Sequence, residues 1–248
     1  MRAYERRVIS AIKLLFHNRL LGAFTLVTGL ASIGLIFGVA SDDMYGIAHP
    51  INLIAYWHVP LAIVGGLALT VTFLGCVLYL LTSTRFWERL AYGSAELGFI
   101  FATLTLITGS VWGRIIWNTW WDWSDIRLVT FLFVWFVYAG YLIIYSGAGS
   151  TDRVSRLASV YGIVGFITVP ISYASTRLWA VSLHSPSIGN PDAEAAITGE
   201  VLLISTLAIL GLYLFLLGSR IRLQEIDHRL SRLKNRQRME TQKPTGGE

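Results

Sequence analysis

Apolar positions in this chain neither alternate nor keep to one face; they run on. Six stretches of about 20 residues are apolar on every side, with polar residues gathered between them, the pattern of helices surrounded by lipid. The runs predict spans over about 20–40, 56–81, 91–110, 128–145, 158–181 and 198–218, each roughly 30 Å long as a helix at about 1.5 Å per residue. Ahead of them, residues 1–19 set Arg2, Arg6, Arg7, Lys13 and Arg19 among Val8, Ile9, Ile12, Leu15 and Phe16, a basic amphipathic lead-in suited to an anionic leaflet. Gly38-Val39-Ala40 has the form of a signal cleavage site, but the run before it is too long for a signal core, so a retained helix is expected. Gly34 and Gly38 form a G-x-x-x-G, which predicts close approach of another helix. Pro60 is placed in the first turn of its span, where a missing N–H costs nothing, and Pro170 predicts a kink. Continued past Pro170, that helix carries Tyr173, Arg177 and His184 on one face. Residues 219–248 form a polar, basic tail whose Ile221, Leu223, Ile226, Leu230 and Leu233 suggest a surface or partner-binding helix.

Composition supports the membrane reading. The 248 residues are 54% hydrophobic and 14% charged, with a mean hydropathy of +0.57, where a soluble protein is about 25% charged. An all-α polytopic membrane protein of six transmembrane helices follows, with residues 20–218 as its membrane domain. The net charge of +5 then speaks of orientation in a lipid bilayer and not of nucleic acid. Seventeen of the twenty Lys and Arg residues fall on one side of a six-span chain, in the lead-in, the 83–89 and 147–157 turns and the tail. That side is expected to be cytoplasmic, with both termini. The single cysteine, Cys76, cannot build a disulfide within the chain, a thiolate cluster or a covalent haem attachment, and is expected as a small buried hydrophobe. No phosphate-binding G-x-x-x-x-G-K-[ST] is present, so any ATPase belongs to another chain.

Candidate chemistry lies on the other side. The stretch 111–128, VWGRIIWNTWWDWSDIRL, holds Trp112, Trp117, Trp120, Trp121 and Trp123 with Asp122, Asp125, Arg114 and Arg127. One or two indoles at that depth make an interface belt; five, mixed with carboxylates and guanidiniums, also suit stacking on a flat ligand. Arg114, Arg127 and Arg177 are the three cations placed against the orientation bias, which suggests an anionic ligand. His58 and His184 border spans on the same side. Haem satisfies the whole set, since two imidazoles take the axial positions of the iron, aromatic faces cover the macrocycle and guanidiniums pair with propionates.

The loop Trp117-Asn-Thr-Trp120-Trp121-Asp-Trp123, the run Tyr56-Trp57-His58-Val59-Pro60 and the segment Ser175-x-x-x-Trp179-x-x-x-Leu183-His184 together resemble the CcmC family, the haem-handling C proteins of cytochrome c maturation, in the wider tryptophan-rich WWD haem-handling family. The resemblance spans all six helices. It implies non-covalent haem b at an extracytoplasmic site in the inner membrane, with His58 and His184 as axial metal ligands and the tryptophan loop as platform. It also implies delivery of haem to the chaperone CcmE, alongside the transporter subunits CcmA and CcmB and the small protein CcmD. On this reading the chain is a haem-handling and transfer protein with no catalytic residue of its own. The alternatives are a cytochrome c synthase-like haem lyase subunit, though such proteins have more spans and histidines, or a membrane permease for haem or another solute, though Glu96 and Pro170 are the few features its spans offer such a route.

One departure matters. The family pattern reads W-D-x-R-L, whereas Ser124 stands here between Trp123 and Asp125, which rotates Asp125 and Arg127 by about 100° relative to Trp123 if a helix begins there. Trp120 and Trp121 are therefore stronger candidates for ligand contact than Asp125, and either Ser124 or Asp125 can serve as the N-cap of the fourth span.

Overall fold

A computed structural model describes residues 7, 9, 10, 19–38, 53–147, 151–179 and 199–241. They form helices α1 (Arg19–Gly38), α2 (Ala55–Thr82), α3 (Arg85–Ile116), α4 (Ile126–Gly147), α5 (Asp152–Gly165), α6 (Thr168–Leu178) and α7 (Gly199–Thr241). Six apolar helical units are long enough to cross a membrane, α5 and α6 together making the fifth, and the protein is a multi-pass membrane protein. His49 and His184 lie outside the described residues, as does the lead-in apart from residues 7, 9, 10 and 19.

The α2–α3 hairpin is the centre of the bundle. Its two-residue turn closes because Ser83 takes a left-handed conformation (φ 54°) and donates its N–H to the Tyr79 carbonyl at 2.7 Å. The two helices lie close enough that a methyl group at Gly75 would stand 3.0 Å from the Ala91 side chain, and one at Gly98 2.6 Å from Leu69. Small residues at such contacts let dispersion replace the hydrophobic drive that lipid cannot supply. On one flank α7 packs against α2, α3 and α1; on the other stand α4, α5 and α6. Cys76 is fully buried between α2, α4 and α5, with its thiol 3.7 Å from the Tyr141 hydroxyl. Leu20, Leu26, Val27, Leu30 and Phe37 of α1 are exposed, as a lipid-facing surface should be.

Two local expectations, on the glycine pair and on Pro60, need correction, and two others, on Pro170 and the tail, take more definite form. Methyl groups at Gly34 and Gly38 would meet nothing; α1 instead meets α7 through Gly22 on Phe215, Thr25 on Gly211, Ser32 on Ser205 and Ile36 beside Val201, a face of the helix turned away from the two glycines. Pro60 is the sixth residue of α2, so it withholds a hydrogen bond from the Tyr56 carbonyl inside the helix. The break near Pro170 falls at residues 166–167, between α5 and α6. Phe166 is the residue whose carbonyl the Pro170 ring would strike in a continuous helix, and the chain turns there, with Phe166 N–H bonded to Gly162 and Val169 N–H to the Phe166 carbonyl. The tail is helical as expected, and it continues the sixth span: α7 runs unbroken from Gly199 to Thr241.

The end of the bundle near the 83–84 turn carries its charges in pairs. Arg220 of α7 holds Glu96 of α3 through two bonds of 2.5 and 2.6 Å, with its guanidinium over the Tyr92 ring at 5.8 Å. Glu88 is buried and accepts from Arg85 at 2.6 Å, from the Tyr145 hydroxyl at 3.1 Å and from Ser155, while Arg85 also reaches Asp152. Hydrogen bonds from three elements offset the cost of burying that carboxylate. Sequence reading had singled out Glu96 but not Glu88.

Candidate functional site

At the opposite end, α3 runs further than expected, so Trp112 and Arg114 stand on its last turns and the connection proper is residues 117–125. Its turns are held by its own polar groups. Trp117 N–H bonds to the Gly113 carbonyl at 2.8 Å, and Asn118 adopts φ 56°, where an amide side chain is tolerated. Arg114 donates to the Asn118 carbonyl at 2.8 Å and to its side-chain oxygen. Thr119 donates to the Trp121 carbonyl at 3.0 Å, and Asp122 accepts from the Ser124 N–H and hydroxyl at 2.8 and 2.7 Å. The loop folds back so closely that a methyl group at Gly113 would stand 3.3 Å from both the Thr119 carbonyl and the Trp117 ring.

Asp125 settles the choice of cap. It is 2% exposed, and its Oδ1 accepts from the N–H groups of Arg127 and Leu128 at 2.9 and 3.1 Å, satisfying two donors of the first turn of α4. Ser124 belongs to the Asp122 turn. Arg127, in that first turn of α4, lies within electrostatic reach of the Tyr173 phenol on α6. Tyr173 donates in turn to the Ala62 carbonyl of α2, one helical turn from His58, and Arg177 follows one turn beyond Tyr173. α2, α4 and α6 thus converge beneath the loop.

His58 lies in the first turn of α2, against the face of α3 that carries Thr105, Thr108, Gly109 and Trp112. Its Nδ1 stands 3.0 Å from the Thr108 hydroxyl, whose own proton goes to the Leu104 carbonyl at 2.7 Å. A threonine hydroxyl that donates to its own helix in this way can accept from an Nδ1–H imidazole, the tautomer whose lone pair lies on Nε2. Gly109 makes room, since a methyl group there would come within 2.8 Å of His58 Cε1. Trp112 meets the imidazole edge-on with centroids 5.6 Å apart.

The indoles divide into two kinds. Trp120 and Trp123 are 61% and 74% exposed, Trp123 standing edge-on to Trp121 at 5.7 Å. The indole N–H groups of Trp112 and Trp121 are buried without a hydrogen-bond partner. Orphaned buried donors are costly; one of these, on Trp112, lies against the His58 ring and the other, on Trp121, lies in the loop, and both suit a ligand that brings acceptors. Among the described residues no three His, Cys, Asp or Glu side chains stand together to hold a bare metal ion, whereas a porphyrin brings four nitrogens and asks the chain only for axial donors. Sequence reading missed Thr108, Gly109 and the turn-forming Asn118. Helical register, four and three residues before Trp112, is the one signal in the sequence that points toward the first two.

Residues 8–239 match the sequence profile of the family described as heme exporter protein C, CcmC. The chain is similar to proteins named heme exporter protein C from Rhodobacter capsulatus (29% identity, covering 75% of this chain and 78% of that protein), Paracoccus denitrificans (27%, covering 81% and 83%) and Haemophilus influenzae (29%, covering 65% and 69%).

Proposed function

This chain belongs to the CcmC family, and on that premise we propose that it holds haem at the extracytoplasmic face of the inner membrane and passes it to the chaperone CcmE. His58 and His184 serve as the axial ligands of a non-covalent haem b. The tryptophan loop covers the ring, with Trp120, Trp121 and Trp123 as its platform and Trp112 and Trp117 bracing it from below. Arg127 and Arg177 pair with the propionates, and Arg114 does so from the loop it also closes. Asp125 takes part by fixing the start of α4 and with it Arg127. Bound haem supplies the iron that the imidazoles ligate; the chain supplies orientation, an apolar cover and counter-charge. Both termini are cytoplasmic, and release draws on the CcmA and CcmB transporter subunits and CcmD.

The observation that carries this reading is the orientation of His58 by Thr108, with Gly109 clearing its space. It supports the reading of this imidazole as a ligand over that of a histidine left solvated at a helix end. The absorption spectrum of the purified protein tests it. A six-coordinate low-spin spectrum is expected, with haem extracted by acid solvent, since the chain has no C-x-x-C-H. His58→Ala or His184→Ala should give a five-coordinate or empty site. An unchanged spectrum in the double variant would overturn the axial assignment, and a protein that takes up no haem at all would overturn the reading.

A further inference from the structure

The ring of Tyr173 is 41% exposed on α6, near Ile171 and Leu178, which are exposed as well. Apolar packing on such a surface would be served equally by leucine or phenylalanine. The hydroxyl has a more exacting place. It donates at 2.5 Å to the Ala62 carbonyl of α2, and it fits there because residue 66 is glycine: a methyl group at that position would stand 2.6 Å from the phenol oxygen and 3.0 Å from Cζ. Ala62 and Gly66 lie one turn apart on α2, so the carbonyl that takes the phenol proton and the gap that admits the ring form one slot.

With its proton given to Ala62, the phenol oxygen can accept from a further group but has nothing left to donate. The cation within its electrostatic reach is Arg127 of α4, not Arg177 of its own helix. The Arg127 backbone is fixed by other means. Its N–H bonds to Asp125 Oδ1 at 2.9 Å, and one turn on the Thr130 hydroxyl lies 3.4 Å from that of Ser172, the residue before Tyr173. The guanidinium itself is half-buried and, among the described residues, is held by charge alone, from Tyr173 and Asp125. A fork of five donors that is aimed before an anion arrives loses less freedom on pairing with it.

We infer that Tyr173 is a positioning residue: seated in the Ala62–Gly66 slot of α2, its phenol oxygen sets the Arg127 guanidinium in the direction in which it meets a carboxylate of the bound porphyrin. This rests on the proposed haem site and deepens it, because recognition of the porphyrin's carboxylates, as distinct from its ring or its iron, then depends on α2, α4 and α6 together. A tyrosine that merely tied α6 to α2 would serve every ligand of the site alike.

The test titrates full-length protein, produced without haem and held in nanodiscs, with haem and with haem dimethyl ester, whose carboxylates are blocked, and follows absorbance. Tyr173→Phe should weaken haem binding roughly tenfold, the order of one hydrogen bond to a charged group, and leave ester binding within about twofold. Gly66→Ala, which drives the phenol from its slot and removes no polar group, should show the same selective loss. Tyr173→Phe added to Arg127→Ala should change nothing further, since the two act through one contact. Equal loss of haem and ester, or loss of neither, overturns the inference and leaves Tyr173 as a tie between helices. A wild-type protein that binds haem and ester equally overturns the propionate pairing itself, and one that takes up neither overturns the haem reading; the inference falls with each, by a different observation.

Discussion

Thr108 can orient His58 only because its own proton is committed to the Leu104 carbonyl, and that division of labour has a measurable signature. Thr108→Val keeps the shape and removes the acceptor, so haem affinity should fall by roughly 10- to 100-fold, the usual cost of losing the group that orients a metal ligand. Thr108→Ser should restore it, and haem titration followed by absorbance reads both. Gly109→Ala acts on the same ring from the other side. Its methyl group, 2.8 Å from Cε1, must push the imidazole away, so the axial spectrum should change although alanine is the better helix former; an unaltered spectrum would show that His58 is not held where it lies. Neither residue carries a signal of its own in the sequence, because a threonine and a glycine in an apolar helix are ordinary, and only register against Trp112 and contact with another helix give them meaning. Asp125 shows the converse. A carboxylate just ahead of an apolar run is legible as a cap, and the inserted serine, whose rotation argument counted against Asp125 as a ligand contact, leaves it as that cap.

At the level of elements, hydrophobic runs located every span, because length and uninterrupted apolarity are properties of one segment alone. What the runs could not give were events that depend on a second segment. α3 and α7 extend beyond their apolar stretches because each finds support outside them, α3 in the folded-back loop over Gly113 and α7 in Ile221 and the Arg220–Glu96 pair. That pair also bears on solute transport. Glu96 is the intramembrane carboxylate a permease would use, and here it is bound on both oxygens by Arg220. Removing one member of a pair in such surroundings strands the other charge, whereas removing both exchanges the pair for packing. Arg220→Leu should therefore lower the unfolding temperature more than Glu96→Leu with Arg220→Leu does, measured by thermal denaturation in detergent. The reverse order would mean that the pair is solvated and structurally idle.

For the whole molecule, the two ends of the bundle differ in kind. One end holds the Arg220–Glu96 and Arg85–Glu88–Asp152 ion pairs among α3, α5 and α7; the other presents exposed indoles, orphaned indole N–H groups and the His58 imidazole. The proposed orientation puts that second end outside, so Ser124→Cys should react with an impermeant thiol reagent from outside and Lys234→Cys should not; labelling of Lys234→Cys alone would invert the topology. On the proposed function, holding and passing on haem would fall to different groups at that end. Imidazole bonds to iron would fix the centre of the cargo, so losing His58 or His184 should cost occupancy. Trp120, 61% exposed, and Trp121 beside it lie where a partner can also reach, and aromatic contacts worth roughly 1 kcal/mol each beyond area burial orient a ligated ring without trapping it. Trp120→Ala with Trp121→Ala should accordingly leave most haem bound but block its appearance on the CcmE chaperone, while Arg127→Ala, which would remove the proposed propionate partner, should weaken binding and transfer together. Co-expression with the chaperone, haem staining of the denatured chaperone and the Soret absorbance of the purified membrane protein separate these outcomes. Undiminished transfer by a stably expressed tryptophan double variant would reduce the loop to an interfacial belt.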